Sequence, residues 1–506
     1  MKNKLLIVIM LGIYISVFNQ IGFTEPLNSR VSVSIPSFKI TINDLEINNE
    51  NSEYPFIIYK GITYFPMTYN SCRFLGIESD WEGNTKGLSI EVTGVTAAYK
   101  SYNRGIGNKN KYSATTPNFP IKVNGKLVDN IKDEYPLLSF RDVTYFPMTW
   151  KYCVEEFGWE YSFNNGNGLI INSDNPRVNQ INLPKDKVSF EGRANAIAND
   201  KFIYYEADNG RIMQVSINDL AQNKEVYKLP VAEYSDGNSH VFCKLFLEEG
   251  SAFLSYHQGG ATMGTDYLVR LNDDGTTTEL NNTKFYIKNI EEKQFKYWVG
   301  PAPGENNLYM KTSSNDWKNI GNPNYLYGWR WVTSGNSSGG GGSKDIYLIN
   351  NDLYILAYDM KSNNTTTSIY KVNINTNDTD RVTDKQVLGF TADNNNLYYE
   401  SEGLIYKYSI KNNKEAVYDK IVNPKAQLES IKSMGNTNKY LVCTFFETAE
   451  SKYRILVLDK NDKVVFKTSD IANIDKITII NDNIYYFNET TQTICLSNLN
   501  SNDNQK

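Results

Sequence analysis

Histidine is almost missing from this chain. Its 506 residues hold two, His240 and His257, so a metal centre built on three imidazoles is excluded on ligand count. Cysteine is scarce and scattered: Cys72, Cys153, Cys243, Cys443 and Cys495 form an odd set without a CxxC pair, which argues against a disulfide framework. An excess of basic charge is lacking as well. The 52 Lys and Arg stand against 57 Asp and Glu, a net charge of −5, so nucleic acid is not an expected partner and acidic polysaccharide is not favoured. After residue 18 no run approaches the roughly 20 apolar residues of a membrane-spanning helix.

What is present begins with Lys2, Lys4 and an apolar run over residues 5–18, the pattern of a signal peptide, here assigned to residues 1–23. The chain is expected to be secreted or held at the cell surface, with no membrane span after that segment. Tyrosine is abundant, at 36 residues, which favours strands because aromatic side chains suit a pleated, half-buried surface.

An internal repeat fills the first third. Tyr54-Pro-Phe-Ile-Ile-Tyr-Lys-Gly-Ile-Thr-Tyr-Phe-Pro-Met-Thr68 returns as Tyr135-Pro-Leu-Leu-Ser-Phe-Arg-Asp-Val-Thr-Tyr-Phe-Pro-Met-Thr149, at a constant offset of 81 residues. The same offset relates Cys72 to Cys153 and Gly87-Leu88 to Gly168-Leu169, so two copies span about 38–93 and 119–174. Each copy reads as two hairpins followed by a helix. Pro66 and Pro147 are expected to start the helices, Gly76 and Gly158 to end them, and Trp81 and Trp159 to fill the cores. Residues 94–118, with Lys100, Arg104, Lys109 and Lys111, read as an exposed loop between the copies.

The order Asn124-Gly125, Tyr145-Phe146-Pro147-Met148, Gly158-Trp159 and a final strand resembles the copper-amine-oxidase N-terminal-like, or stalk, domain of secreted proteins from Gram-positive bacteria. The resemblance covers about 140 residues and implies a spacer or attachment module. It does not imply copper chemistry, since Asn324-Tyr325 is followed by Leu326 rather than an acid and three histidine ligands cannot be found.

From residue 189 to 500 short strands recur at intervals of 30 to 45 residues, among them Phe202-Ile-Tyr-Tyr205, Asn307-Leu-Tyr-Met310, Asp352-Leu-Tyr-Ile355, Asn396-Leu-Tyr-Tyr399 and Asn483-Ile-Tyr-Tyr486. Period-two alternation and joins rich in Asn, Asp and Gly read as a β-propeller of six or seven blades, with the strands from Ile477 sharing a blade with the first strands near Phe190. The repeated unit resembles a bacterial propeller domain related to the low-density-lipoprotein-receptor type, which implies a binding platform. The expected fold class is therefore α+β repeat modules followed by an all-β propeller.

Candidate sites are few. Tyr325, Tyr327, Trp329 and Trp331 alternate along one extended segment, a face suited either to a sugar or protein ligand or to packing between blades. Ser337-Ser-Gly-Gly-Gly-Gly-Ser343 reads as a flexible loop. His257, in a loop of small residues running to Gly264, is the candidate acid or base, and Glu248-Glu249 reads as solvated surface. Asn272-Asp-Asp-Gly275 reads as a hairpin turn, so neither metal nor cofactor is expected. The leading expectation is a non-enzymatic binding protein whose partner is an extracellular protein or a cell-wall glycan. The alternatives are a polymer hydrolase or lyase using His257, and a structural envelope protein.

Overall fold

The computed structural model describes residues 29–183, 196–207, 210–230, 243–248, 250–258, 265–280, 285–299, 304–312, 316–334, 337–361, 366–418, 429–436, 439–447, 452–468, 476–488 and 490–500. The signal segment, Phe190 and His240 lie outside them. The described chain is nearly all β and divides into two compact units, one holding most of residues 29–173 and the other most of the chain from Asp174 onward. Among the described residues no helix is long and apolar enough to cross a membrane.

In the first unit, strands of both sequence copies build one closed six-stranded barrel. Its order is Arg30–Ser34, Ile57–Tyr59, Ile62–Pro66, Val143–Pro147, Leu138–Phe140 and Lys111–Thr115. The seam between the copies places Phe65 opposite Phe146, residues 81 apart, so a pseudo-two-fold axis passes between them. Period-two alternation aims Val31, Val33, Ile57, Tyr64, Leu138 and Tyr145 into one core.

The copies also exchange their ends. The last strand of the first copy, Leu88–Val92, pairs in parallel with the first strand of the second, Ile121–Val123; Gly168–Asn172 does the same with Ile40–Ile42. Gly87 and Gly168 open these pairings at φ +79° and +73°. A Cβ there would lie 1.7 Å from the Pro120 carbonyl oxygen and 2.0 Å from that of Lys39, so only glycine fits.

Three expectations for this unit are corrected. The helices are single turns, Tyr69–Phe74 and a π-helical Lys151–Glu156, joined by the four-residue Gly83–Lys86, so an α+β description does not hold. Pro66 and Pro147 end strands instead of starting helices, and it is the Thr68 hydroxyl that accepts the Ser71 N–H at the first turn. Lys111–Thr115 is a barrel strand, because Tyr112 and Ala114 turn inward. The tryptophans differ too. Trp159 is 2% exposed and packs on Phe65, whereas Trp81 is 49% exposed. The extra residue in the second copy makes Ile77, fully buried after Gly76, the counterpart of Trp159.

Among the described residues the second unit is a propeller of seven sheets, each with four antiparallel strands or, in the fourth, five, beside one two-stranded sheet. Blade 1 runs over Ala196–Ala198, Phe202–Glu206, Arg211–Ser216 and Asp219–Lys228, and the others repeat that up-and-down order. Blade 7 combines Ile477–Ile480, Asn483–Asn488 and Thr493–Asn498 with Val178–Asn182 from the start of the unit. Ring closure is thus made by Val178–Asn182. Apolar faces of neighbouring blades pack on each other: Ile203, Tyr205 and Val215 of blade 1 meet Phe487 and Ile494 of blade 7, and Tyr204 meets Leu254 and Val269 of blade 2. The apolar-Tyr-Tyr strands are mostly the second of a blade, preceded by a shorter first strand; Tyr309–Thr312 is a third strand.

Candidate functional site

Blade 4 departs from the repeat. Its second strand, Asp352–Asp359, is flanked on one side by two pieces, Tyr325–Tyr327 and Ile346–Ile349, in place of one continuous first strand. Between the pieces the chain leaves as a hairpin, Trp329–Ser334 with Ser337–Gly342. Its neck is closed by the Ser343 N–H donating to the Gly328 carbonyl at 2.8 Å and the Gly328 N–H donating to Leu356 at 2.7 Å. Gly328 has φ +68°, and a Cβ would strike the Tyr297 ring at 2.0 Å. The Gly-rich segment is therefore a strand, not a flexible loop. Two of its glycines are required by their neighbours: a Cβ on Gly340 would sit 2.4 Å from the Trp329 indole nitrogen, and one on Gly342 would sit 2.5 Å from the Val299 Cβ.

Gly328 also breaks the expected aromatic face in two. Tyr327, fully buried, joins the core between blades 3 and 4; its N–H and carbonyl are clamped by the Asn307 amide at 2.8 Å each. Tyr325 packs edge-on against Tyr370. Trp329, 7% exposed, lies in a separate cluster with Leu326 and Tyr358. Trp331 packs against that cluster and donates its indole N–H to the Tyr358 hydroxyl at 2.7 Å. Arg330, between the two tryptophans, is exposed. Of the four residues only Tyr325 and Trp331 keep part of their surface open, and the other two hold the hairpin's base.

Beside the neck, residues from the first strands of blades 2 and 3 meet the chain entering that of blade 4. Glu248 accepts the Tyr286 hydroxyl at 2.8 Å, with Lys288 at 3.6 Å and Lys344 at 3.8 Å. The Lys344 ammonium also lies over the Phe246 ring, 4.4 Å from its centroid. Glu248 is thus the hub of a charged group, a correction to its reading as solvated surface. Next to it, desolvation raises the Asp345 carboxyl above its usual range, opposed by the Phe390 N–H and the Ser343 hydroxyl. Burial likewise pushes the Tyr286 and Tyr297 phenols far up, with Tyr297 donating to the Ser343 carbonyl at 2.8 Å. No sequence motif announces this group, because its members come from three blades and are brought together by the ring.

His257 ends the second strand of blade 2, and its Nδ1 lies 2.8 Å from Asp266 Oδ1 on the adjoining strand. The rest of its small-residue loop, 259–264, is outside the described residues. Asn272 to Thr276 form the expected hairpin turn, with the Gly275 N–H donating to Asn272. Among the described residues no group of three His, Cys, Asp or Glu is placed to hold a metal. One Gly-x-Ser-x-Gly string does occur, from Gly335 to Gly339, but Ser337–Gly342 is a strand and not the strand-to-helix elbow of a serine hydrolase.

No family model and no curated protein matches the chain. Solved structures do. The chain is similar to a catalytically inactive virginiamycin B lyase from Staphylococcus aureus with quinupristin, at 14% identity over 64% of this chain and 99% of that one, TM-score 0.34. It is similar to BamB from Moraxella catarrhalis at 8% identity, over 63% and 97% of the two chains, TM-score 0.34. It is also similar to the apocarotenoid oxygenase of Synechocystis at 8% identity, over 69% and 81%, TM-score 0.30. A lyase and an oxygenase stand among these, so the expectation that the chain is not an enzyme does not stand. At these values none of the three lends the chain its own activity.

Proposed function

We propose that this chain is a secreted or cell-surface binding protein, in which the stalk-like copies serve as spacer or attachment module and the propeller presents a platform for an extracellular protein or glycan. The observation that supports this reading is the hairpin inserted into the first strand of blade 4. Insertions that break a repeat gather on the face a repeat protein uses for binding. Here the insertion presents Arg330, exposed and reaching the Leu388 carbonyl, and the half-buried Trp331 against Tyr358, types that dominate interface energetics. Co-sedimentation of the full chain with purified bacterial cell walls should give saturable retention. Walls stripped of protein separate a protein partner from a glycan partner. Absence of retention on both preparations would sink the reading, and a combined Arg330→Glu, Trp331→Ala chain locates the contact.

A second reading is favoured by the His257–Asp266 pair. A carboxylate at Nδ1 fixes the proton there and makes Nε2 the basic nitrogen, as a general acid–base on an extracellular polymer requires. Polymer turnover by the full chain, abolished by His257→Ala, is its test.

A further inference from the structure

The two copies in the first unit carry cavities at equivalent positions, one about three times the volume of the other. One, of about 810 Å³, is lined by Pro36, Phe38, Ile40 and Asn49; the other, of about 270 Å³, by Pro117, Phe119, Ile121 and Asn130. Each residue of the first set stands 81 positions before its counterpart in the second. Beside each cavity an aromatic pair stands edge to face: Phe38 with Phe163, ring centres 4.9 Å apart at 74°, and Phe119 with Trp81, 4.7 Å apart at 80°. The outer ring of each pair stays open, Phe163 at 55% and Trp81 at 49% exposure. An internal duplication thus keeps, on both sides of its axis, a large exposed ring packed on an aromatic residue that lines a pocket, although core packing would bury such rings.

We propose that these are two equivalent sites for a β-linked N-acetylhexosamine glycan, which deepens the attachment role above and rests on it. The outer ring offers a flat apolar surface to the C–H face of a pyranose, and the apolar floor at Ile40 or Ile121 accepts the acetamido methyl. Lys39 is paired with Glu46 at 2.7 Å and Lys132 with Asp129 at 2.8 Å, and Glu50 adds a carboxylate to the lining of the larger cavity, which disfavours an anionic polymer. Duplication suits a ligand that is itself a repeat, since a long chain reaching both sites gains effective concentration over a short one.

The test is calorimetric titration of the full chain with short and long chito-oligosaccharides. Two short oligosaccharides per chain are expected, falling to one in Trp81→Ala, to one in Phe163→Ala and to none in the double variant, with Val417→Ala, at an exposed propeller residue, leaving the count at two. Both replaced rings are exposed, so thermal melting of the variants should match the parent, which separates lost binding from lost folding. No binding by the parent chain, or binding that survives the double replacement, overturns the proposal. Retention on purified walls without oligosaccharide binding overturns the glycan assignment while leaving the attachment role standing.

Discussion

The first unit and the propeller are both repeats, yet they constrain their sequences in opposite ways. In the first unit two copies interlock through a shared barrel and exchanged end strands, so one residue often has one permitted neighbour, and identity is retained position by position. In the propeller each blade meets only its neighbours through an apolar face, so many residue choices serve and the pattern persists while the residues drift. Tight interlocking preserves letters; loose stacking preserves only alternation.

The largest expected effect attacks the interlock. Gly87→Ala or Gly168→Ala drives a Cβ into a carbonyl oxygen at a left-handed φ, and should destabilise the first unit by about 5 kcal/mol or more in chemical denaturation. Gly403→Ala in a blade 5 turn has a similar φ of +79° but no atom within 4 Å, and should cost about 1 kcal/mol. Comparable losses at the two sites would break the contrast.

Next, Trp159→Ala should cost about 3–5 kcal/mol and Trp81→Ala less than about 0.5 kcal/mol, because one fills the core and the other does not. A third test acts on the propeller through pH. Burial pushes the phenols of Tyr204, Tyr327 and Tyr354 up to about 12 from a usual value of 10. Above pH 10 the unfolded chain gives up these protons while the folded chain keeps them. Their contribution is therefore whole below pH 10 and drains away as pH climbs to 12. Melting temperature followed over that range should fall, and a flat profile would count against the burial. Trp331→Phe, which removes the indole bond to Tyr358, should cost about 1 kcal/mol.

Much of this architecture is legible in the sequence. The offset of 81 residues, the hairpin turns and the pairing of Phe202–Glu206 with Arg211–Ser216 or of Asn396–Ser401 with Leu404–Ser409 all arise from local patterns. The features that are not legible depend on long-range placement. The exchange of strands between copies leaves no local mark, since parallel pairing of Leu88 with Ile121 uses the same apolar residues that any buried strand would. Trp81 reads as a core residue because the one-residue shift after Gly76 hides its true counterpart, Phe163. The strand nature of Ser337–Gly342 comes from its pairing with Trp329–Ser334 and the Trp329 indole over Gly340, not from the propensity of its glycines. The second strands of blades 2 and 6, Ser251–Gln258 and Tyr440–Glu447, escape the apolar-Tyr-Tyr template because they carry Phe-Leu and Leu-Val in its place.

Ring closure by Val178–Asn182 has a consequence for the order in which the protein can be made. That strand emerges long before its partner, Thr493–Asn498, and the Gln180 side chain finds Thr493 only across 313 positions of chain. Until then the nascent propeller carries two open edges, at its first blade and at its last, each able to pair with a stranger. A chain that stops even ten residues short of Asn498 should be released with its latch unfastened.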